Sequence, residues 1–318
     1  MTTYIIRRLI QSLFVLLIVT IIVFLAMRLL PGDPILMMVT ADALKEASEE
    51  HIAALRHEFG LDKPLFVQYA NWLSGAVRGD LGKSILHGDS VTTEIVRRIP
   101  ITFHLGAVAF LMSILIGIPA GIISAVRRGG WLDTGVTLLA NLGITVPIFW
   151  LGILLVYLFA LYLRWLPTFG YTSPFDNFWL STRQVLMPIF CLSVFAIASG
   201  ARQTRSSMLE VIQQDYIRTA WSKGLKERAV IFRHALKNAL IPVVTLNGMT
   251  VSNIFGGSVL IETVFNIPGM GRLAVDGVVS QDYAIVQGVI LVVATAVMLA
   301  NLVVDLSYGW LDPRIRYG

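Results

Sequence analysis

Long apolar runs separated by short polar segments dominate the pattern of this 318-residue chain. A membrane-spanning helix needs about 20 mostly apolar residues, and six runs reach or approach that length. They cover residues 9–30, 101–126, 134–163, 184–201, 239–261 and 284–306. The third and sixth runs are long enough to tilt or kink. Because the alternating ten-residue pattern of a membrane barrel does not occur, we expect an all-α integral membrane protein with six transmembrane helices.

Composition supports a membrane protein and excludes an ordinary soluble domain. Hydrophobic residues make up 56% of the chain, charged residues 14%, and mean hydropathy is +0.73. In a soluble chain the net charge of +5 would suggest nucleic acid. Here the distribution of the charges along the chain is more informative than their sum, and we expect no nucleic-acid partner.

Basic residues concentrate in four segments that fall on one side of a six-span arrangement. The segments contain Arg7 and Arg8; Arg127 and Arg128; eight lysines and arginines between 202 and 237; and Arg314 and Arg316. Since basic loops stay in the cytoplasm, we expect both termini there. The run after Arg8 is too long for a signal peptide and no small-residue cleavage site follows it, so we interpret it as a retained first span.

The segment between the first two runs is the one large piece predicted outside the cytoplasm. Ser48 can cap a helix whose buried side is Ile52, Leu55 and Phe59, and Gly60 ends that helix. Pro64 then begins a second amphipathic helix. Its apolar side contains Phe66, Tyr69, Trp72 and Leu73. We expect both helices to lie on the membrane surface or on the ends of the spans.

Small residues and prolines indicate close packing inside the predicted bundle. Small residues recur at intervals of four, a spacing that lets helix backbones approach closely. They are Gly117 and Gly121 in the second span, and Gly248, Ser252 and Gly256 in the fifth. Pro119, Pro147 and Pro188 interrupt the second, third and fourth spans. The backbone groups they free must be satisfied by neighbouring helices or a hydrated cavity.

Motifs for catalysis, metal binding and nucleotide binding are absent from the sequence. The stretch GDLGKS at 79–84 resembles the end of a phosphate-binding loop, but Val77 stands where that loop needs its first glycine. The five histidines do not have the spacing of metal ligands. We therefore expect no catalytic residue, no metal site and no cofactor in this chain. Any ATP and Mg²⁺ must be bound by another polypeptide.

Two single residues inside predicted spans are candidates for chemistry. Cys191 lies in the fourth span, and we interpret it as a buried thiol packed like a small apolar residue. Asp305 lies near the cytoplasmic end of the sixth span. An ionisable group in a span is a functional candidate. It either pairs with Arg314 or Arg316, or couples transport to an ion gradient.

The fifth span combines uncharged polar residues with small ones, which is typical of a helix beside a hydrated route. Four of its residues are candidates for lining such a pathway, although their angles around the helix spread too widely for one face. They are Asn247, Ser252, Asn253 and Gly256. Hydrogen bonding between helices is the alternative interpretation.

The segment between the fourth and fifth runs is basic and amphipathic. Its apolar residues repeat every three to four positions from Met208 to Leu225, which predicts a cytoplasmic helix ended by Gly224. A second helix, with four basic or histidine residues, leads into Pro242. Such a segment either rests on anionic lipid or inserts into a groove on a soluble partner.

Motifs along the whole chain resemble one family of transport proteins. DYIRTAWSKGL at 215–225 is similar to the cytoplasmic coupling loop of ABC-importer permeases of the dipeptide, oligopeptide and nickel group, with Thr219, Ala220 and Gly224 in the E-A-A-x-x-x-G pattern. Arg218 replaces the glutamate of the general pattern, as is usual in this group. Further matches are PGDP at 31–34, FGLDKPL at 59–65, HALKNALIPVVT at 234–245, NIPGMGRL at 266–273, DYAIVQG at 282–288 and NLVVDLSYGWLDPRIR at 301–316.

The resemblance implies a type I importer permease in the bacterial cytoplasmic (inner) membrane. Its partners would be a second, similar permease, two cytoplasmic ATPases that bind the ATP and Mg²⁺, an extracytoplasmic solute-binding protein and membrane lipid. The permease pair would be a heterodimer. The ATPase-coupling residues would be Asp215, Tyr216, Ile217, Arg218, Thr219, Ala220, Trp221, Lys223, Gly224 and Leu225.

The expected organisation follows from the runs and the resemblance together. Residues 1–30 form the cytoplasmic N-terminus and first span, 31–100 the extracytoplasmic loop, 101–310 the five-helix transmembrane core, which includes the coupling loop 202–238, and 311–318 a cytoplasmic tail. The expected solute is a di- or oligopeptide, while glutathione-like compounds, haem precursors and nickel complexes stay open. The alternative function is an ion-coupled secondary transporter that uses Asp305.

Overall fold

The structure is a computed structural model that describes residues 2–38 and 49–311, with side chains for 5–36 and 49–304. Ser48, residues 312–318 of the predicted tail and the side chain of Asp305 lie outside the described residues. The predicted helix cap at Ser48 and the pairing of Asp305 with Arg314 or Arg316 therefore stay predictions.

Every regular element within the described ranges is a helix. In chain order the helices are α1 (Thr2–Leu29), α2 (Pro34–Met38), α3 (Glu49–Glu58), α4 (Leu65–Val77), α5 (Val91–Val126), α6 (Trp131–Thr145), α7 (Ile148–Tyr162), α8 (Phe178–Ile212), α9 (Asp215–Ser222), α10 (Glu227–Val264), α11 (Met270–Val279) and α12 (Tyr283–Leu311). Wider π-type turns occur within α5, α7 and α10, at Ser113–Gly117, Val156–Tyr162 and Val230–Ala235.

Five helices in the described part of the chain, α1, α5, α8, α10 and α12, are long and apolar enough to cross a membrane. The consecutive helices α6 and α7 pass the same test together, which raises the number to as many as six. The predicted all-helical class is therefore confirmed. Helix ends differ from the sequence prediction, because α5 begins at Val91 rather than at residue 101 and α8 extends from 178 to 212. Hydropathy reports the apolar part of a helix, whereas the hydrogen-bonded turns continue into polar sequence.

The predicted third span, 134–163, is two helices that meet at a bend of 103°. Val146 ends α6 in an extended conformation with ψ 124°, and Pro147 precedes α7 with φ −62°. A proline disfavours helical backbone in the residue before it. The predicted interruption of the third span at Pro147 is therefore confirmed, and it is a complete break between two helices.

The other two prolines remain within continuous helices. Pro119 follows the π-type turn Ser113–Gly117 of α5. A proline ring clashes with the carbonyl four residues before it, here Leu115, and the wider turn contains that residue. Helix α8 continues through Pro188 without a break.

The chain divides into two compact units. Among the described residues, the larger unit contains 2–5, 103–267 and 299–311, and the smaller unit contains 6–38, 49–102 and 268–298. In the larger unit α8 packs against α5, α6, α7 and α10. A Cβ on Gly117 would lie 2.9 Å from the carbonyl oxygen of Ile197, and one on Gly121 would lie 2.5 Å from that of Ala201. The predicted close approach at this glycine pair is confirmed.

The smaller unit contains the two short helices predicted in the first loop. Ile52, Leu55 and Phe59 pack against a buried cluster formed by Met27, Ile35, Ile85, Tyr283 and Val286. The amphipathic interpretation of α3 is thereby confirmed. Pro64 is the residue before the first turn of α4, also as predicted.

The GDLGKS stretch forms a turn fixed to the N-terminus of α12. Gly79 and Gly82 have φ of +84° and +88°, a backbone region that favours glycine. The Ser84 hydroxyl donates to the carboxylate of Asp282 over 2.5 Å, and Asp282 is fully buried directly before α12. This contact gives the stretch a structural role, and it joins segments almost 200 residues apart in the chain.

Asp33, in the PGDP motif, has a perturbed carboxyl group. Its carboxylate accepts hydrogen bonds from the guanidinium of Arg56 and from the backbone N–H of Ile35, the latter over 2.9 Å. Partial burial of Asp33 opposes ionisation, but these hydrogen bonds outweigh it and hold the pKa of that carboxyl below its ordinary value.

Candidate functional site

Helix α9 is a short amphipathic helix between the two long helices α8 and α10. It comprises Asp215–Ser222, eight residues. The sequence predicted one helix from Met208 to Leu225, but α8 ends at Ile212 and the chain turns at Gln213 and Gln214 before α9 begins. That boundary was wrong, because the apolar repeat continues across the turn and periodicity alone does not detect it.

Two residues hold α9 in place. Ile217 is 0% exposed and Ala220 is also buried, and both belong to one hydrophobic cluster. The remaining buried members of this cluster are Ala125, Met208, Val230, Ile231, Ala235 and Ala239. We call these six residues the platform. They come from α5, α8 and α10, so the orientation of α9 follows the positions of these three helices.

The surface of α9 outside this buried stripe is open, and Tyr216 and Trp221 flank the stripe on its two sides. Every residue of the helix apart from Ile217 and Ala220 is exposed, including Tyr216 and Trp221 at 43% each. The Tyr216 hydroxyl accepts a hydrogen bond from Nδ2 of Asn238 over 2.8 Å, which fixes one aromatic ring relative to α10. The predicted amphipathic character of this segment is thus observed, with two aromatic side chains on its exposed surface.

Gly224 closes the segment with the geometry of a helix C-terminus. Its φ is +75°, and its N–H donates to the Trp221 carbonyl over 2.9 Å. Residues with a side chain rarely adopt this conformation. Apart from Gly224 itself and its two chain neighbours, no described atom lies within 4 Å of the position a Cβ would take. The glycine is therefore required by the backbone turn rather than by close packing.

A buried ion pair braces the helices that carry the platform. Asp133, in the first turn of α6, accepts from Nε and Nη2 of Arg205 over 2.7 and 3.0 Å. The same carboxylate accepts from the Ser124 hydroxyl and from the Gly129 N–H, the latter over 2.9 Å. Bidentate arginine–carboxylate contacts are the strong, directional kind. The pair joins α6 to α8 at Arg205, which lies three residues before the platform residue Met208.

Sequence reasoning did not find this ion pair. Asp133 lies three residues after Gly130, near the start of a helix. In the sequence it looks like an ordinary acidic residue in a first helical turn. Its partner Arg205 is one of the basic residues of the predicted cytoplasmic segment 202–237. Since the two residues are 72 positions apart, only the packing of α5, α6 and α8 brings them together.

The four pathway candidates on α10 do not share one face. Asn253 and Gly256 are exposed in the chain, while Asn247 and Ser252 are partly buried. Successive residues of a helix are turned by about 100°, so Asn247 and Gly256 point in opposite directions. No described atom outside the helix lies within 4 Å of a Cβ built on Gly256. The exposed stripe of α10 thus includes Asn253 and Gly256 but not Asn247.

The chain is all-helical and apolar, and it holds an exposed amphipathic helix between two long helices. This architecture suits a component of a membrane transport system. Comparison with known proteins identifies the class. The family model described as binding-protein-dependent transport system inner membrane component matches residues 117–317. The corresponding N-terminal model matches residues 1–106. The chain therefore belongs to this family of bacterial inner-membrane permeases.

Individual relatives extend over the full chain. A protein of Brucella abortus (strain 2308), provisionally named a peptide transport system permease protein, is 44% identical over 319 residues and covers 100% of both chains. The oligopeptide transport system permease protein AppB of Bacillus subtilis (strain 168) is 38% identical over 320 residues, again with 100% of both chains covered. The dipeptide transport system permease protein DppB of Alkalihalophilus pseudofirmus is 39% identical over 337 residues with the same coverage. The resemblance inferred from the motifs is confirmed.

A solved structure shares the fold. The MetNI methionine ABC transporter, in inward-facing conformations, contains a chain that matches with a TM-score of 0.57 and 19% identity. The match covers 69% of this chain and 96% of that chain. At this identity the likeness concerns the fold alone. It agrees with the type I importer fold expected from the sequence.

Proposed function

We propose that this chain is one of two permease subunits of an ABC importer that carries di- or oligopeptides inward, and that α9 couples it to ATP hydrolysis in partner subunits. The observation that carries the proposal is the burial of Ile217 and Ala220 of α9 in the platform, with Tyr216 and Trp221 partly exposed on either side of this buried stripe. The peptide solute is supported by the names of relatives that match the chain from end to end.

The exposed face of α9 has the chemistry of a knob for a partner groove. Aromatic side chains carry much of the binding energy at interfaces, and short amphipathic helices commonly dock in apolar grooves. In the proposal Tyr216, Trp221 and Leu225 enter an ATPase groove. The turn at Gly224 and the basic residues Arg218 and Lys223 flank them. The remaining expected coupling residues, Asp215, Ile217, Thr219 and Ala220, shape and fix the helix.

Continuous helices on both sides make α9 suitable as a lever. Helix α8 has 35 residues and α10 has 38, lengths of roughly 50 Å at about 1.5 Å per residue. Movement of α9 by a partner acts on the platform through Ile217 and Ala220. Because the platform contains residues of α8 and α10, that movement would reach the membrane-crossing parts of both helices.

The proposed topology has six spans and cytoplasmic termini, with α6 and α7 together as one broken span. If α6 and α7 instead re-entered and left on the same side, Arg127 and Arg128 would lie opposite the basic segment 202–238. A single crossing keeps both basic segments in the cytoplasm. The proposed domains keep the bounds 1–30, 31–100, 101–310 and 311–318.

The proposed assembly contains a second, homologous permease in a heterodimer, two ATPases that bind ATP and Mg²⁺, and an extracytoplasmic solute-binding protein. The family description supports a binding-protein partner. The exposed stripe of α10 would face the pathway or the second permease, with Asn253 and Gly256 nearest to the solute. Asn247 and Ser252 would support that stripe from the side.

Cross-linking tests the position of α9. Cys191, the single cysteine of the sequence, is buried, so Trp221→Cys introduces a selectively reactive thiol. We expect it to react with an impermeant maleimide only in inside-out vesicles and to cross-link to an ATPase subunit. Trp179→Cys is the matched control, because Trp179 is also exposed and lies near the start of α8. Reaction of the Trp221→Cys variant from outside the cell would refute the proposal.

Uptake tests the coupling itself. Proline fixes φ near −65°, which is incompatible with the +75° of Gly224. Gly224→Pro should therefore abolish ATP-dependent accumulation of labelled dialanine in vesicles that contain the complete transporter. Wild-type vesicles depleted of ATP provide the baseline. Unchanged ATP-dependent uptake by the variant would count against the lever, and uptake that ignores ATP depletion would favour a secondary transporter.

A further inference from the structure

The larger unit contains an apolar groove of about 500 Å³ that the proposed function does not use. Helices α5, α6 and α8 form most of its wall. Every residue that lines the groove is Ala, Gly, Val, Leu, Ile or Phe. Ile116, Leu139 and Phe190 belong to the wall and are nonetheless exposed, Leu139 at 69%. The groove therefore opens at the surface of the chain, and its occupant must be apolar.

The length of the apolar groove matches one leaflet of a bilayer. Its wall runs along α6 over residues 136–146 and along α8 over residues 190–201. At about 1.5 Å per residue, each stretch is roughly 15–17 Å long. The hydrocarbon core of a bilayer is about 30 Å thick, so one leaflet contributes roughly 15 Å. The groove can therefore accommodate the acyl chain of a lipid from one leaflet.

One end of the apolar groove is basic. Arg202 directly follows Ala201 of the α8 wall. Arg127 and Arg128 lie about 10–12 Å beyond Ala120 of the α5 wall. These three arginines are exposed, and none of them forms an ion pair with an acid in the part of the chain that the structure describes. Their charges therefore attract an anionic group to this end of the groove.

The other residues at the basic end suit the level of lipid headgroups. The nearby carboxylate of Asp133 is already offset by the guanidinium of Arg205 over 2.7 Å, so it does not cancel the three free cations. Trp131, the first residue of α6, is 82% exposed and lies about 7 Å before Val136 of the wall. Tryptophan is enriched at the boundary between membrane and water. This end of the groove therefore lies where the phosphate of a lipid would be.

We propose that the apolar groove binds an anionic phospholipid, whose acyl chain lies along α6 and α8 and whose phosphate lies among Arg127, Arg128 and Arg202. An unfilled groove forfeits dispersion contacts along its whole wall. Basic pockets at the cytoplasmic side of spanning helices bind anionic headgroups. The competing occupant is the second permease, but the one-leaflet length and the three cations favour a lipid. The assignment to the cytoplasmic leaflet rests on the proposed topology, whereas the site itself requires neither peptide transport nor α9.

Lipid binding is measured on the assembled transporter, delipidated in maltoside detergent. The titrants are phosphatidylglycerol and phosphatidylcholine with the same acyl chains, and the readouts are native mass spectrometry and the lipid-dependent rise of the unfolding temperature. We expect saturable binding with preference for phosphatidylglycerol. Equal affinity for the two lipids overturns the anionic assignment. Failure of both to bind saturably leaves the groove to the second permease and overturns the proposal.

Arginine variants test the headgroup contact. Replacing Arg127, Arg128 and Arg202 together by glutamine should weaken phosphatidylglycerol roughly fivefold for each arginine, on the order of a hundredfold in all. The same change should remove its advantage over phosphatidylcholine. Arg164→Gln is the matched control, because Arg164 is also exposed but lies between α7 and α8. A triple variant that keeps the wild-type preference refutes the assignment of the headgroup.

Two measurements locate the acyl chain. Ala120→Trp fills the groove and should abolish the lipid-dependent rise of the unfolding temperature, whereas Leu138→Trp, at an exposed residue of α6 outside the wall, should not. If Ala120→Trp does not fold, photo-cross-linking of the wild-type transporter decides. Phosphatidylglycerol with a diazirine on its acyl chain should label 136–146 and 190–201, and excess unlabelled phosphatidylglycerol should suppress this labelling. Binding that survives Ala120→Trp, or suppressible labels elsewhere, refutes the site without any measurement of uptake.

Discussion

Replacing Ile217 by alanine should detach α9 from its platform and uncouple ATP hydrolysis from uptake. The Ile217 side chain is fully buried, so the change removes three carbons from a packed cluster. At ~0.8 kcal/mol per buried methylene the transfer loss is about 2.4 kcal/mol. The cavity left behind brings the expected cost to roughly 2–5 kcal/mol.

The remaining attachments of α9 are weaker than this loss. Ala220 buries one methyl group, worth ~0.8 kcal/mol. The hydrogen bond from Asn238 to Tyr216 adds about 1 kcal/mol. We therefore expect local undocking of α9 while the long helices keep their packing. Faster amide hydrogen exchange confined to α9 would report the undocking directly.

The assay compares uptake per ATP hydrolysed in proteoliposomes that contain the complete transporter. Ile217→Ala should retain ATP hydrolysis while uptake per ATP falls at least tenfold. Ile217→Val should destabilise the docking of α9 by about 0.5–1.5 kcal/mol and give an intermediate uptake per ATP hydrolysed. Ser222→Ala, on the exposed face, should show the amide hydrogen exchange of the wild type. An Ile217→Ala transporter that exchanges faster at α9 yet keeps its uptake ratio would refute the lever argument.

Three further predictions concern stability, read from unfolding temperatures or denaturant titration of the purified chain. Gly121→Ala places a Cβ 2.5 Å from the carbonyl oxygen of Ala201 and should lower stability by about 1–3 kcal/mol or more. Gly135→Ala is the control, because a Cβ there has no described neighbour from outside its helix within 4 Å, and it should stabilise α6 by about 0.5–1 kcal/mol. Equal effects of the two variants would contradict the packing at Gly121. Arg205→Met leaves the buried carboxylate without its cation and should cost about 3–5 kcal/mol, so a neutral result would show that the pair does not brace the helices. The lowered pKa of Asp33 contributes stability above the ordinary aspartate pKa of about 3.9 and loses it as pH falls through the lower folded value. Below about pH 4 wild type should therefore lose stability faster than Asp33→Asn, and parallel pH profiles would contradict this assignment.

Much of the candidate site could be predicted from the sequence because its signals are local. The apolar repeat around Ile217 and Ala220 and the glycine at 224 identify an amphipathic segment and its end. The order of the motifs identifies the family. The break between α8 and α9 could not be predicted, since Gln213 and Gln214 interrupt the hydrogen bonding but not the apolar repeat.

Tertiary packing decided the contacts that no local signal encodes. Asp133 and Arg205 are unremarkable charges in the sequence, and they become a buried pair only because α6 and α8 pack together. The same is true of Ser84 and Asp282, which are 198 residues apart.

The sequence by itself determined the helical membrane class, the close contact at Gly117 and Gly121 and the amphipathic segment, because hydropathy and residue size act over one or two helical turns. Only the tertiary structure decided which face of α9 stays open and which residues of α10 are exposed. These depend on distances between segments far apart in the chain. The periodicity of residues along one helix gives no information about these distances.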